Sequence, residues 1–122
     1  MYDIHGVYLV DFKRGIGGEL SGKHYSIIIT DIKKSDNTLV VIPLTSKKKN
    51  KKYRNGITID CTKYQTHPTH EKAFAMVDKI REVSRYRIYG DKIYQLEMDD
   101  VQRLNDKIKD VLERNSDIVI ST

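Results

Sequence analysis

Two short segments of this chain concentrate side chains able to do chemistry, and each stands where an apolar run meets polar residues. Gly18-Glu19-Leu20-Ser21-Gly22-Lys23-His24-Tyr25 puts a carboxylate, a cation and an imidazole directly before the run Ser26-Ile27-Ile28-Ile29-Thr30. Ile42-Pro43-Leu44-Thr45-Ser46 puts two adjacent hydroxyls after the run Leu39-Val40-Val41-Ile42. Such groups suit cleavage of RNA. A ribose 2′-hydroxyl attacks the adjacent phosphorus, a base takes its proton, an acid protonates the leaving 5′-oxygen, and donors stabilise the charge growing on the phosphoryl oxygens. The nucleophile lies within the substrate, so neither a water nucleophile nor a metal is required. The plainer alternative is that Thr45 and Ser46 form a turn or cap, and that Glu19 is a solvated loop carboxylate.

The elements that must position these groups are legible as runs. Val7 to Phe12 is β-prone and ends in the turn-forming Gly15-Ile16-Gly17-Gly18. Tyr25 to Thr30 and Thr38 to Leu44 read as two strands joined by a hairpin at Lys33-Lys34-Ser35-Asp36-Asn37. Both are continuous apolar runs, which predicts burial on both faces. Gly56 to Asp60 alternates as a short fourth strand, residues 61 to 72 read as irregular, and Ala73 to Val77 and Arg85 to Tyr89 read as strands, with Gly90-Asp91 as a turn after the last. Val101, Leu104, Ile108, Val111 and Leu112 recur at helical spacing, with Asp99 and Asp100 in the first turn, which predicts an amphipathic helix over residues 98 to 114 ended by Asn115. Short strands followed by one helix indicate a single α+β domain over residues 1 to 122, built on a small β-barrel or strongly curved antiparallel sheet.

Size and charge are consistent with that reading. A chain of 122 residues buries one modest core. Without a run of roughly 20 apolar residues or a signal-like start, it is expected in the cytoplasm with no membrane span. The lone Cys61 cannot form an internal disulfide, in keeping with a reducing compartment. Residues 1 to 95 carry 18 Lys and Arg against 10 Asp and Glu, whereas residues 96 to 122 carry 4 against 7. The body of the domain is therefore basic and attracts phosphates or an acidic partner.

Within that body, Lys47-Lys48-Lys49-Asn50-Lys51-Lys52-Tyr53-Arg54 reads as an exposed loop. Its like charges repel unless anions lie between them, and an aromatic among cations can stack a base whose phosphates the cations hold. Lys48, Lys51, Lys52, Tyr53 and Arg54 are thus expected to border an RNA groove. His67-Pro68-Thr69-His70 with Cys61 is a weak metal pattern, lacking a second Cys or an HExxH helix, and reads as surface loop. Asp78 and Arg81 read as an ion pair supporting the fold or a dimer surface, with Arg81 able to reach RNA. The Gly-rich stretch is followed by a strand rather than a helix, which excludes a dinucleotide cradle.

The order Val7-Tyr8-x-Val10-Asp11-Phe12, Gly18-Glu19-x-x-Gly22-Lys23-His24, Pro43-x-Thr45-Ser46 and Asp78-Lys79-Ile80-Arg81 resembles the MazF/PemK toxins over roughly residues 6 to 110. Pro43-Leu44-Thr45-Ser46-x-Lys48 is also similar to the related ToxN-type endoribonucleases. The resemblance implies an SH3-like barrel with a C-terminal helix, usually a homodimer. It further implies a toxin that cleaves single-stranded RNA without metal or other cofactor and is restrained by an antitoxin, either an acidic protein segment or a structured RNA. In that family an Arg before the second strand and a Thr after the third converge on the scissile phosphate. Thr45 matches the Thr and Glu19 matches the first-loop Glu, while the Arg position holds His24, with Lys23 beside it. The favoured assignment gives His24 proton transfer, Lys23 the phosphate clamp, Thr45 and Ser46 the strand-end hydroxyls, and Glu19 either loop positioning or the base. A His there makes cleavage titrate near neutral pH, unlike an Arg. The competing functions are a binding-only nucleic-acid barrel and, by analogy with CcdB-like relatives of the same fold, a gyrase poison.

Overall fold

The computed structural model describes residues 2–15, 20–31 and 37–120. The chain forms β1 (Gly6–Asp11), β2 (Lys23–Thr30), β3 (Thr38–Ser46), β4 (Gly56–Asp60), β5 (Lys72–Met76), β6 (Arg81–Ser84), β7 (Ile88–Gln95) and a helix, α1 (Met98–Ile120). All strand pairs are antiparallel, in the order β4-β5-β3-β2-β1-β7, with β6 also on β3. The α+β class and curved antiparallel sheet expected from the sequence are what the chain adopts, with the sheet left open between β4 and β7.

The central strands send successive side chains into two buried clusters, as their apolar runs predict. Ile27, Ile42 and Leu44 enter the core beneath α1, while Ile28, Leu39 and Val41 enter a second cluster with Val10, Phe12 and Val83. Period-2 alternation therefore buries both faces of β2 and β3. The long strand β3 changes partner midway: Thr38 to Val41 pair with β6, and Leu44 to Ser46 pair with β5. Pro43 is fully buried at the changeover, where β3 has no register partner in β6 or β5. This switch lets one strand serve both lobes of the curved sheet and ends it at Thr45-Ser46.

Two strand boundaries around Gly90 differ from the sequence reading. Arg85 to Tyr89 is not a separate strand: β6 stops at Ser84, whose hydroxyl accepts from the Tyr86 N–H, and one 3-10 turn leads into β7. Gly90 does not end β7, because with φ at +74° it lies within the strand, where the pairing with β1 shifts register. Residues 32–36 of the expected hairpin turn lie outside the described residues.

The helix buries Val101, Leu104 and Val111, with Ile108 packed alongside, against β4 and the turn at Val77–Lys79. Leu112 is about half exposed, because it lies one residue around the helix from that stripe. Asn115 does not terminate α1, which continues to Ile120.

Candidate functional site

Lys23 and His24 are delivered to the end of β2 by a closed loop neck. The Phe12 N–H donates to the Gly22 carbonyl and the Gly22 N–H to the Lys13 carbonyl, both at 2.8 Å. Gly22 takes a φ of +79°, a conformation side chains resist, and so turns the chain directly into β2. The last β2–β3 pair toward this end is Ser26 with Pro43. Beyond it the His24 ring bridges the strands: Nδ1 lies 3.0 Å from the Leu44 carbonyl and Nε2 lies 3.1 Å from the Ser21 carbonyl. Carbonyl oxygens only accept, so each contact requires an N–H on the ring. The doubly protonated imidazolium satisfies both, whereas the neutral ring satisfies one. Phe12 stands edge-on to the ring at 6.0 Å.

The strand ends border a pocket of about 360 Å³ lined by Lys23, His24, Tyr25, Leu44, Thr45 and Ser46, so four residues singled out from two distant segments are brought to one place. Leu44 and Ser46 register with Ala75 and Ala73, while Thr45 registers with Phe74. By alternation, Lys23, Tyr25 and Ser46 project toward the helix side and His24 and Thr45 toward the reverse. The pocket therefore spans the edge where β2 and β3 stop. The Lys23 ammonium lies 5.5 Å over the Tyr89 ring.

The far wall comes from the segment between β4 and β5 and from β7: Cys61, Gln65, Thr69, His70, Ile93 and Tyr94. Cys61 is buried rather than a surface-loop residue, and burial together with the Asp60 charge pushes its thiol pKa up. Among the described residues no three His, Cys, Asp or Glu side chains form a metal-ligand set. Tyr94 is stacked on Tyr64 with centroids 4.6 Å apart and planes within 12°. The Tyr64 hydroxyl donates to Asp100 and accepts from the Glu97 N–H at 2.9 Å. Burial and this carboxylate push Tyr64 up to about 12. Asp100 is almost fully buried and also binds Arg103 at 2.8 Å and Lys63 at 3.3 Å. The first turn of α1 is thereby tied through Tyr64 to the pocket wall. The sequence flagged Thr69 and His70 only as loop residues and missed Gln65 and Tyr94, because nothing in their spacing links them to the strand ends.

The remaining predicted residues are distributed as follows. Glu19 lies outside the described residues. Lys48, Lys51, Lys52 and Arg54 are exposed on the loop leaving Ser46 and do not line the pocket. Tyr53 pins that loop: its hydroxyl donates to the Ser46 carbonyl at 3.2 Å and accepts from the Lys48 N–H at 2.9 Å, while its ring packs on Phe74 at 5.0 Å. The Lys51 ammonium stands 5.7 Å from that ring. The expected Asp78–Arg81 ion pair does not form. Asp78 accepts from Asn55 at 3.5 Å, and the Arg81 guanidinium lies 5.4 Å over Phe12 beside a smaller hollow.

An open curved sheet with a C-terminal helix, and a pocket at two strand ends lined by Lys23, His24, Thr45 and Ser46, define a small α+β domain with one candidate site. The sequence model of the PemK-like, MazF-like toxins of type II toxin-antitoxin systems matches residues 5–112, and the chain belongs to that family. A crystal structure of MazF from Deinococcus radiodurans has the same fold, with a TM-score of 0.70 over 92% of this chain and 96% of that one, at 16% identity. Among curated proteins, none matches the chain. Among the described residues, no helix is long and apolar enough to cross a membrane.

Proposed function

We propose that this toxin is a sequence-selective endoribonuclease that cleaves single-stranded RNA by attack of the ribose 2′-hydroxyl, with no metal in the chemical step. The observation that carries this reading is the meeting of Lys23-His24 and Thr45-Ser46 at one pocket in a member of this family. Lys23 holds the scissile phosphate as a point charge on a flexible stem. The Ser46 hydroxyl, on the same face as Lys23, donates to its non-bridging oxygens, where charge grows in the transition state, and the Thr45 hydroxyl approaches from the face that carries His24. His24 moves the proton: the Leu44 carbonyl holds Nδ1–H and fixes the ring, leaving the more exposed Nε2 to exchange Ser21 for substrate. Glu19 positions the first loop or serves as base. Lys48, Lys51, Lys52, Tyr53, Arg54 and Arg81 supply the flanking surface for RNA. The toxin works as a homodimer in the cytoplasm, and the type II family favours a protein antitoxin whose acidic segment covers the basic face over a structured RNA.

Incubation of the purified protein with a long single-stranded RNA in EDTA tests the reading. Fragments with 5′-hydroxyl and 2′,3′-cyclic phosphate ends are expected, and intact RNA across a range of pH refutes it. A second reading, binding without cleavage, is favoured by one observation: both ring nitrogens of His24 contact carbonyl acceptors, so in that arrangement neither is open to take a proton. Inactive His24→Ala with fully active Lys23→Ala would remove Lys23 as the clamp.

A further inference from the structure

We infer that the far wall of the pocket is a receptor for one unstacked nucleobase of the RNA, read by Gln65, Thr69, His70 and the Tyr94 hydroxyl. The inference rests on the nuclease reading for its biological meaning but can be tested apart from it.

A volume of about 360 Å³ lies at the low end of ligand pockets, roughly 300–1,000 Å³, which gives room for one base together with the phosphate beside it. Its lining pairs apolar surface with polar groups that have no hydrogen-bond partner among the described residues. Gln65, Thr69, His70 and Tyr94 line the cavity with no side-chain hydrogen bond among the described residues, Gln65 and Tyr94 half-buried and Thr69 and His70 exposed at its mouth, in contrast to Tyr53 and Tyr64, whose hydroxyls are each engaged twice. Burial raises the Tyr94 phenol well above its ordinary value, so it remains an O–H donor at working pH. A primary amide carries a donor and an acceptor side by side, the pattern that reads the edge of a base.

The Tyr94 side of the wall is braced. Tyr94 is backed by the parallel Tyr64 ring, which the Asp100 carboxylate and the Glu97 N–H hold in turn. A preorganised wall loses little entropy on binding and therefore discriminates between ligands. The position of the pocket suits RNA: Lys23 and Ser46 on its near side take the phosphate while Tyr25, about half exposed at the same pocket, offers an aromatic surface to the base.

Two measurements on the intact protein test this. The first maps cleavage ends on a randomised RNA library for the wild type, Gln65→Ala, His70→Ala and Tyr94→Phe. Wild type should favour particular bases at one position beside the cut, and Gln65→Ala should flatten that preference by roughly tenfold, the worth of about one hydrogen bond. The second measures binding of uncleavable 2′-O-methyl tetranucleotides that differ only in the base at that position, or at each position in turn if the wild type makes no cut. Wild type should discriminate between them and Gln65→Ala should not. Cleavage with an unchanged preference in all three variants overturns the inference, as does wild-type binding that is indifferent to the base. Folded variants that no longer cut but still discriminate in binding also overturn it, since the wall then serves the chemistry. A wild type that discriminates in binding yet never cuts keeps the base receptor and refutes the nuclease reading instead.

Discussion

Replacing Asp100 by Ala should loosen the wall of the pocket from a distance, and the size of the effect can be worked from its contacts. The carboxylate is about 4% exposed and accepts from the Tyr64 hydroxyl, Arg103 and Lys63 at the N-terminus of α1. A hydrogen bond to a charged group is worth about 1.5–3 kcal/mol when neither partner can turn to water. Only Tyr64 meets that condition closely, since the Arg103 and Lys63 side chains are 50% and 28% exposed and rehydrate when released. These two pairs therefore add about 0.5 kcal/mol each, and the loss of an acidic group from the first helical turn adds about 0.3–1 kcal/mol. Asp100→Ala should cost about 3–5 kcal/mol in urea unfolding, and Tyr64→Phe about 1.5–3 kcal/mol. The double variant should cost about 1.5–3 kcal/mol less than the sum, because both single variants remove the same bond. Additive effects, or a loss below about 0.5 kcal/mol for Asp100→Ala, would refute the claim that this carboxylate holds Tyr64 against Tyr94.

Four further outcomes are expected. His24→Ala should lower cleavage by roughly a hundredfold or more, the usual worth of a proton-transfer group, and flatten the pH–rate profile; an unaltered profile would exclude His24 from proton transfer. Replacing Lys51, Lys52 and Arg54 together by Ala should reduce the slope of log binding constant against log salt by about 2, at roughly 0.7 per phosphate released from a single strand; an unchanged slope removes this loop from the RNA surface. Gly56→Ala should destabilise the fold by about 1–3 kcal/mol, because a Cβ there would collide with the Ala75 carbonyl oxygen; equal melting temperatures would show that β4 can shift without cost. Stability should also fall at both pH extremes. Thr62 holds Asp60, and Lys63 holds Asp99, below the usual carboxylate range, so their contribution is present above that range and lost as pH falls through the lowered values. Tyr64 is raised from 10.0 to about 12, so its contribution is complete below pH 10.0 and lost as pH rises toward about 12. Thermal melts across pH check both limbs, and an alkaline limb identical in Tyr64→Phe would exclude this phenol as its source.

How much of this was legible beforehand depended on whether the deciding interactions were local. The apolar runs of β2 and β3 marked two doubly buried strands because burial on both faces leaves no polar alternation. The 3.6-residue recurrence of Val101, Leu104, Ile108 and Val111 marked the helix. Gly90 misled because a glycine with positive φ serves a bulge as well as a turn, and only the β1 partner decides between them. The same holds for Asp78 and Arg81, whose short separation suggested a pair that β6 and the turn before it point apart.

The sequence by itself determined the α+β class, the two chemical segments and the family pattern that contains them, since strand-end residues follow from where apolar runs stop. Only the tertiary structure decided that Lys23-His24 and Thr45-Ser46 share a pocket, that His24 is tied to two carbonyls, and that Gln65, His70 and Tyr94 close the other side. Those facts depend on the change of partner along β3 and on the docking of α1 through Asp100 and Tyr64. They join residues tens of positions apart, and no local preference of the chain encodes such a distance.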